Sequence, residues 1–217
     1  MTATKESFGV ANADPAREGG CGCAKSPTGA ATFAGSRKAA LLLGLLRREM
    51  NGAVADSMTA RGVVYGVNYG VSAAAIRRIA AGFAPDHQLA MELYRSDVRE
   101  LIIASLFIAD PRMVDLEQFS FWEEGVTGSE EAEYLAFALM ARTSLVWEAF
   151  MRWSESEQML LRYLAAMTLL RALALQSDTS RWDMARIGAF VASSAASSDR
   201  MLQTAALNLG ERLGLAF

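Results

Sequence analysis

Little in this sequence could hold a metal or close a disulfide. Its only cysteines are Cys21 and Cys23, and its only histidine is His87. One glycine separates the cysteines, too close for an easy disulfide, and no second pair exists to complete a zinc site. That usage points to a reduced, cytoplasmic protein, with a thiol or metal-capture tag on a flexible arm as the alternative. No Gly-rich phosphate loop, metal-ligand cluster or nucleophile triad is present, so neither a metal nor a small-molecule cofactor is expected. Lysine is scarce as well, at positions 5, 25 and 38 alone. The cations are therefore arginines, which suit phosphate forks and buried ion pairs, although codon usage in the source genome would give the same bias. Residues 1–20 lack the apolar core of a signal peptide. The longest apolar run, Ala39 to Leu46, would span about 12 Å as a helix against a hydrocarbon core of roughly 30 Å, so no membrane span is expected. Runs of alternating β-branched residues with hairpin turns are missing too, which excludes a β-sheet domain.

What the chain does have is apolar residues in helical register. Over 217 residues, 52% are hydrophobic and 21% charged, a globular balance with room for a sizeable core. The net charge of -3 excludes a globally basic polyanion binder, so any nucleic-acid role needs a locally basic face. Residues 1–35 are rich in Gly, Ala, Ser and Thr and read as a disordered arm. Residues 36–217 read as one helical repeat domain.

Within that domain, start signals recur. Ser36 opens a helix carrying Ala39, Leu42, Leu43 and Leu46. Ser72 precedes Ala73–Ile79, Asp86 precedes His87–Tyr94, and Ser96 precedes an apolar helix broken by Asp110-Pro111. Asp115 starts a helix through Trp122, and Ser129 one through Arg142. Ser144 precedes Val146–Trp153, Ser154 with Glu157 has capping-box spacing, and Ser180 with Asp183 is a weaker variant. A last helix runs from about Asp199 to Leu213. Short connections make successive helices antiparallel neighbours, repeating at roughly 35–45 residues as in HEAT-like solenoids.

Three stretches carry a family resemblance. They are Met50-Asn51-Gly52-Ala53-Val54 with Tyr65-Gly66-Val67-Asn68-Tyr69-Gly70-Val71-Ser72; Pro85-Asp86-His87-Gln88-Leu89-Ala90 with Asp97-Val98-Arg99-Glu100; and Trp147-Glu148 with Arg152-Trp153-Ser154-Glu155. In this order they resemble the DNA alkylation repair (AlkD-like) family of HEAT-like DNA glycosylases over about residues 40–215. The resemblance implies an all-α, HEAT-like α-α superhelix, a curved solenoid that holds duplex DNA in a concave basic groove. It also implies excision of purines made cationic by N3 or N7 alkylation, with a carboxylate and aromatic faces stabilising the sugar cation.

Carried onto this chain, the family's Trp-Asp-x-x-Asp segment falls on Gly128-Ser129-Glu130-Glu131-Ala132-Glu133. Ser129 stands where the catalytic tryptophan would be, and Glu133 where the key aspartate would be. Glu133 is thus the candidate catalytic residue, while an N-cap at Ser129 with first-turn acids explains the same residues structurally. Trp122 matches an earlier family tryptophan. Arg162 matches an arginine, as a phosphate contact or else an internal ion pair. Arg99 and Arg142 are further candidates for DNA, and Asn208 falls where active members carry a DNA-facing tryptophan. Glu123, Glu124, Glu130, Glu131 and Glu133 crowd the path of a phosphate backbone, which they would repel unless turned away or paired with Arg99, Arg142 or Arg162. His87 reads as a capping or packing residue, and Trp147 and Trp153 as packing residues. A glycosylase, a non-catalytic DNA-binding relative and a protein-interaction scaffold all remain open.

Overall fold

The computed structural model describes residues 36–215; the expected arm at 1–35, with Cys21 and Cys23, lies outside the described residues. The chain divides into two units, residues 1–32 and 33–217, and all that follows concerns the second. Among the described residues there are eleven α-helices and no strand, only an isolated parallel bridge between Val67 and Val98.

The helices form two layers. Along one layer run α1 (Arg37–Arg47), α3 (Ala73–Ala80), α5 (Arg99–Ile108), α7 (Ser129–Tyr134), α9 (Met159–Ala174) and α11 (Arg200–Leu213), each packed on the next of this series. Behind them lie α4 (His87–Tyr94), α6 (Phe119–Glu124), α8 (Val146–Ser154) and α10 (Met184–Ala195). Each of these four passes to its inner partner through a four-residue link (95–98, 125–128, 155–158 and 196–199), short enough to force an antiparallel pair. α2 (Gly52–Ala60) precedes the long link 61–72.

Burial explains the layering. α5 and α9 lie in the middle of the inner layer and bury residues on nearly every side, as a helix enclosed by neighbours must. Aromatic pairs staple the outer layer. Tyr94 of α4 packs on Trp122 of α6 with ring centroids 4.9 Å apart, Phe119 of α6 on Trp153 of α8 at 5.5 Å, and Phe150 of α8 on Phe190 of α10 at 5.3 Å. The Tyr94 ring lies so close to Gly125 that a Cβ there would collide with it.

Helix starts follow the sequence at Ser36, Ser72, Asp86 and Asp199, whose side chains accept from first-turn amides. Elsewhere the structure corrects them. The bridge to Val67 holds Val98 extended, so α5 begins at Arg99 and the Ser96 hydroxyl accepts from the Val98 amide instead. The Asp115 carboxylate accepts from the Gln118 amide in a turn, which delays α6 to Phe119. Ser154 is the last residue of α8 and donates back to the Met151 carbonyl, so no capping box forms with Glu157. Asp178 takes up Ser180, leaving Asp183 to cap α10. α2, absent from the sequence reading, is capped by Asn51.

Past Tyr134 the α7 run continues through a π turn, Leu135–Leu139, and a 3-10 turn, Met140–Arg142. A π turn adds a residue and rotates every later side chain about the axis. The guanidinium of Arg142 ends up 5.9 Å from the ring centre of Phe137.

Candidate nucleic-acid interface

The acidic segment is largely turned inward or neutralised. Glu130 receives two hydrogen bonds from Arg99, whose Nε lies 2.8 Å from Oε2, and a third from the Tyr65 hydroxyl at 2.7 Å. Burial opposes its charge, but the bonds from Arg99 and Tyr65 outweigh it and hold the carboxyl below its usual range. Arg99 also donates to the Val71 carbonyl and to Glu100, which is fully buried and accepts from the amides of Tyr69 and Val71. Glu131 is only 2% exposed and has one oxygen without a partner; burial raises its pKa. Glu123 is bound by Arg152 at 2.7 and 2.8 Å and by the Trp153 indole at 2.9 Å, and the Arg152 bonds hold its pKa down.

This network uses the residues of the first two resembling stretches. Tyr65, Tyr69 and Val71 from the α2–α3 link meet Arg99 and Glu100 of α5 and Glu130 of α7. Gly70 closes the link at φ 68°, where any Cβ would collide with the Asn51 carbonyl. Those stretches therefore tie the link to the inner layer.

Glu133 behaves differently. It is exposed on a cleft of about 1060 Å³ between α7, α9 and α11, where its Oε1 accepts from the Tyr163 hydroxyl at 2.8 Å. Burial, then the bond to Glu133, pushes the Tyr163 pKa far up, so that hydroxyl stays a neutral donor. Arg171, Arg200, Arg212, Asn208 and Glu211 line the same cleft. None of these three arginines pairs with a carboxylate among the described residues.

The arginines follow a pattern. In the inner layer every helix but α5 closes with an arginine in its last turn: Arg47 in α1, Arg77 in α3, Arg142 at the end of the α7 run, Arg171 in α9 and Arg212 in α11. Of the outer four, only α8 does, and its Arg152 is committed to Glu123. Complementing helix dipoles would place arginines on both layers alike. Three of them, Arg77, Arg142 and Arg171, meet around the Phe137 ring, a local cluster of positive charge on a molecule whose net charge is -3.

The sequence candidates thus separate. Glu133 lines the cleft, and Arg142 lies beside Phe137. Arg99 is 5% exposed and engaged by carboxylates, and Trp122 is fully buried against Tyr94 and His87, so neither offers a ligand any surface. Arg162 lines a different pocket, between α8, α9 and α10, where it donates to Ser193 and Ser194 and lies over the Phe190 ring. Ser129 lies inside the helix after an N-cap at Gly128 and makes no capping bond. His87 bonds Gln118 and packs edge-on against Trp122. Trp153 is buried and Trp147 stacks on Phe150. Arg171, which the sequence reading passed over, joins Glu133 and Asn208 in the cleft. Its signal was the recurring last-turn arginine of alternate helices.

A family model described as "DNA alkylation repair enzyme" matches residues 43–209. The chain belongs to the DNA alkylation repair enzyme family. No curated protein matches the sequence of this family member significantly. A solved structure described as "A new family of proteins related to the HEAT-like repeat DNA glycosylases with affinity for branched DNA structures" superimposes with a TM-score of 0.70 at 16% identity. The match covers 80% of this chain and 74% of that one. The fold of this alkylation-repair relative is therefore the HEAT-like α-α superhelix that the sequence implied. No helix among its described residues is long and apolar enough to cross a membrane.

Proposed function

We propose that this family member is a cytoplasmic DNA alkylation repair protein that binds duplex DNA along the arginine-edged inner layer. The observation that carries the reading is the cleft that Arg171, Arg200 and Arg212, free of carboxylate ion pairs among the described residues, line together with Glu133 and Glu211. Arginine forks suit phosphate oxygens, and neutralised phosphates release counterions, so affinity should fall steeply with salt.

Within the same reading, Glu133 acts on a cationic N3- or N7-alkylated purine. Such a base is already a good leaving group, and a carboxylate near the sugar stabilises the positive charge that develops as the glycosidic bond breaks. Tyr163 would orient that carboxylate through its hydroxyl. The test is a single-turnover assay with protein in large excess over duplex containing N7-methylguanine. Release of methylguanine above the uncatalysed rate, abolished by Glu133→Ala and retained in part by Glu133→Asp, supports excision. No release above background sinks it.

The second reading is binding without excision, favoured by the absence of an aromatic ring at Ser129 and Asn208. The solved neighbour's description speaks of affinity for branched DNA. If this chain shares that preference, a four-way junction should compete with linear duplex at lower concentration while alkylated bases stay in place. A protein-interaction role without DNA is less well supported, since the basic edge has no complement within the described residues. Absent or salt-independent duplex binding would restore it.

A further inference from the structure

One ring in the inner layer gathers three charges. The guanidinium of Arg77 in α3 lies 5.9 Å from the ring centre of Phe137, that of Arg142 at 5.9 Å and that of Arg171 in α9 at 5.7 Å. No two of the three can therefore be more than about 12 Å apart. Their helices are far apart in sequence, and only stacking α3, α5, α7 and α9 brings them together. No carboxylate of the described residues forms an ion pair with any of them. Arg142 makes one hydrogen bond, to the Phe137 carbonyl at 3.4 Å, and the buried Nε of Arg171 makes none.

Like charges held this close repel one another, and a protein ordinarily relieves that with a nearby carboxylate. The available one, Glu133, lies one helical turn before Phe137 and is bound to Tyr163 instead. A guanidinium attracted to an aromatic ring gains charge stabilisation there without using up its N–H donors. Apart from the long bond from Arg142 to the Phe137 carbonyl, the three groups around this ring are donors without a carboxylate partner among the described residues.

We infer that Arg77, Arg142 and Arg171 around Phe137 form a phosphate-binding site, in which several guanidinium edges donate to the oxygens of one phosphate or of two adjacent ones. The arginines supply the charge, and Phe137 is the ring beside which all three guanidinium groups lie. This rests on the DNA-binding reading for its ligand's source but adds a subsite that the Glu133 cleft alone does not require. The phosphate can come from an internal phosphodiester of a bound strand or from the terminal phosphate monoester of a strand end. The shared chemistry is a tetrahedral oxyanion taken by arginine forks.

The test measures binding of the full chain and of its Arg77→Gln, Arg142→Gln and Arg77→Gln/Arg142→Gln variants to a labelled 20-base-pair duplex, with 5'-hydroxyl or 5'-phosphate ends, across a salt series. Arg78→Gln is the control, since Arg78 is the next residue but is tied to Glu49 at 2.7 Å. Each triad substitution should weaken binding about fivefold or more and reduce the salt slope by about one, with Arg78→Gln near wild type. Equal losses on both duplexes assign the site to internal phosphodiesters, and a loss confined to the 5'-phosphorylated duplex assigns it to strand ends. If wild type binds DNA and the triad variants bind equally well, the site is overturned while the DNA reading stands. Inorganic pyrophosphate, followed by its effect on melting temperature, separates the other failure. Stabilisation lost in the double variant, with no DNA binding by wild type, keeps the site and removes the DNA reading. No response to either ligand overturns both.

Discussion

Arg99 and Arg171 lie in neighbouring parts of the inner layer and do opposite things with the same charge. Arg99 is 5% exposed and surrounded by Glu100, Glu130 and the Val71 carbonyl, so its guanidinium is consumed within the fold. The Arg171 guanidinium lies 5.7 Å from the ring centre of Phe137, keeps a buried Nε without a partner and meets no carboxylate ion pair among the described residues. A buried charge whose donors are filled is part of the scaffold. A charge supported only on its face is available to something else. The acids divide the same way: Glu130 serves Arg99, whereas Glu133 reaches the cleft.

Four substitutions would break or sharpen that contrast. The largest effect should come from Arg99→Met, which leaves fully buried Glu100 without its ion-pair partner; a loss of about 3–5 kcal/mol is expected in urea denaturation. A loss below about 1 kcal/mol would mean that the network is not structural. Gly70→Ala should cost about 2–3 kcal/mol, because its φ of 68° disfavours a side chain and the new Cβ meets the Asn51 backbone. An unchanged melting temperature would show that the link is not held as described.

The third, Glu131→Gln, has a pH signature. Burial raises the pKa of Glu131 in the folded chain, so between the ordinary carboxylate value and that raised value the folded protein keeps a proton that the unfolded chain has released. Its stabilising contribution is complete below this window and is lost as pH rises through it. Glutamine should remove that slope and add about 1 kcal/mol at pH 7, read from denaturation curves at pH 4 to 8. Glu130, whose pKa is lowered, has the opposite sign: its contribution is present above the ordinary carboxylate value and lost as pH falls. The smallest stability effect belongs to Arg171→Gln, within about 0.5 kcal/mol of wild type. The same variant should bind duplex DNA about tenfold more weakly at moderate salt. A variant that unfolds readily, or binds unchanged, would erase the contrast with Arg99.

Much of the architecture was legible in advance because helical periodicity and side-chain caps are local. Ser36, Ser72, Asp86 and Asp199 cap where a sequence reader would place them. Helix starts depart from these caps where another partner has claimed the capping group or its neighbour. Val67 pulled Val98 into a bridge and moved the start of α5 past Ser96. Ser154 satisfied its hydroxyl within α8, against the capping-box spacing. In the cleft, Glu133 stands at a position that its motif singles out, whereas Arg171 carries only the weaker signal of a last-turn arginine. Its meaning depends on which side of α9 faces α7 and α11, and α9 is apolar nearly all round, so its sequence marks no preferred face.

The sequence by itself determined an all-α chain, its family and four of its helix starts, because those depend on residues within a few positions of one another. Only the tertiary structure decided which charges are spent and which are free. Arg99 and Glu130 are 31 residues apart and find each other across α5 and α7. Arg77, Arg142 and Arg171 come from three helices and meet at one phenyl ring. Coulomb energy depends on distance in space and on burial, and neither can be counted along the chain.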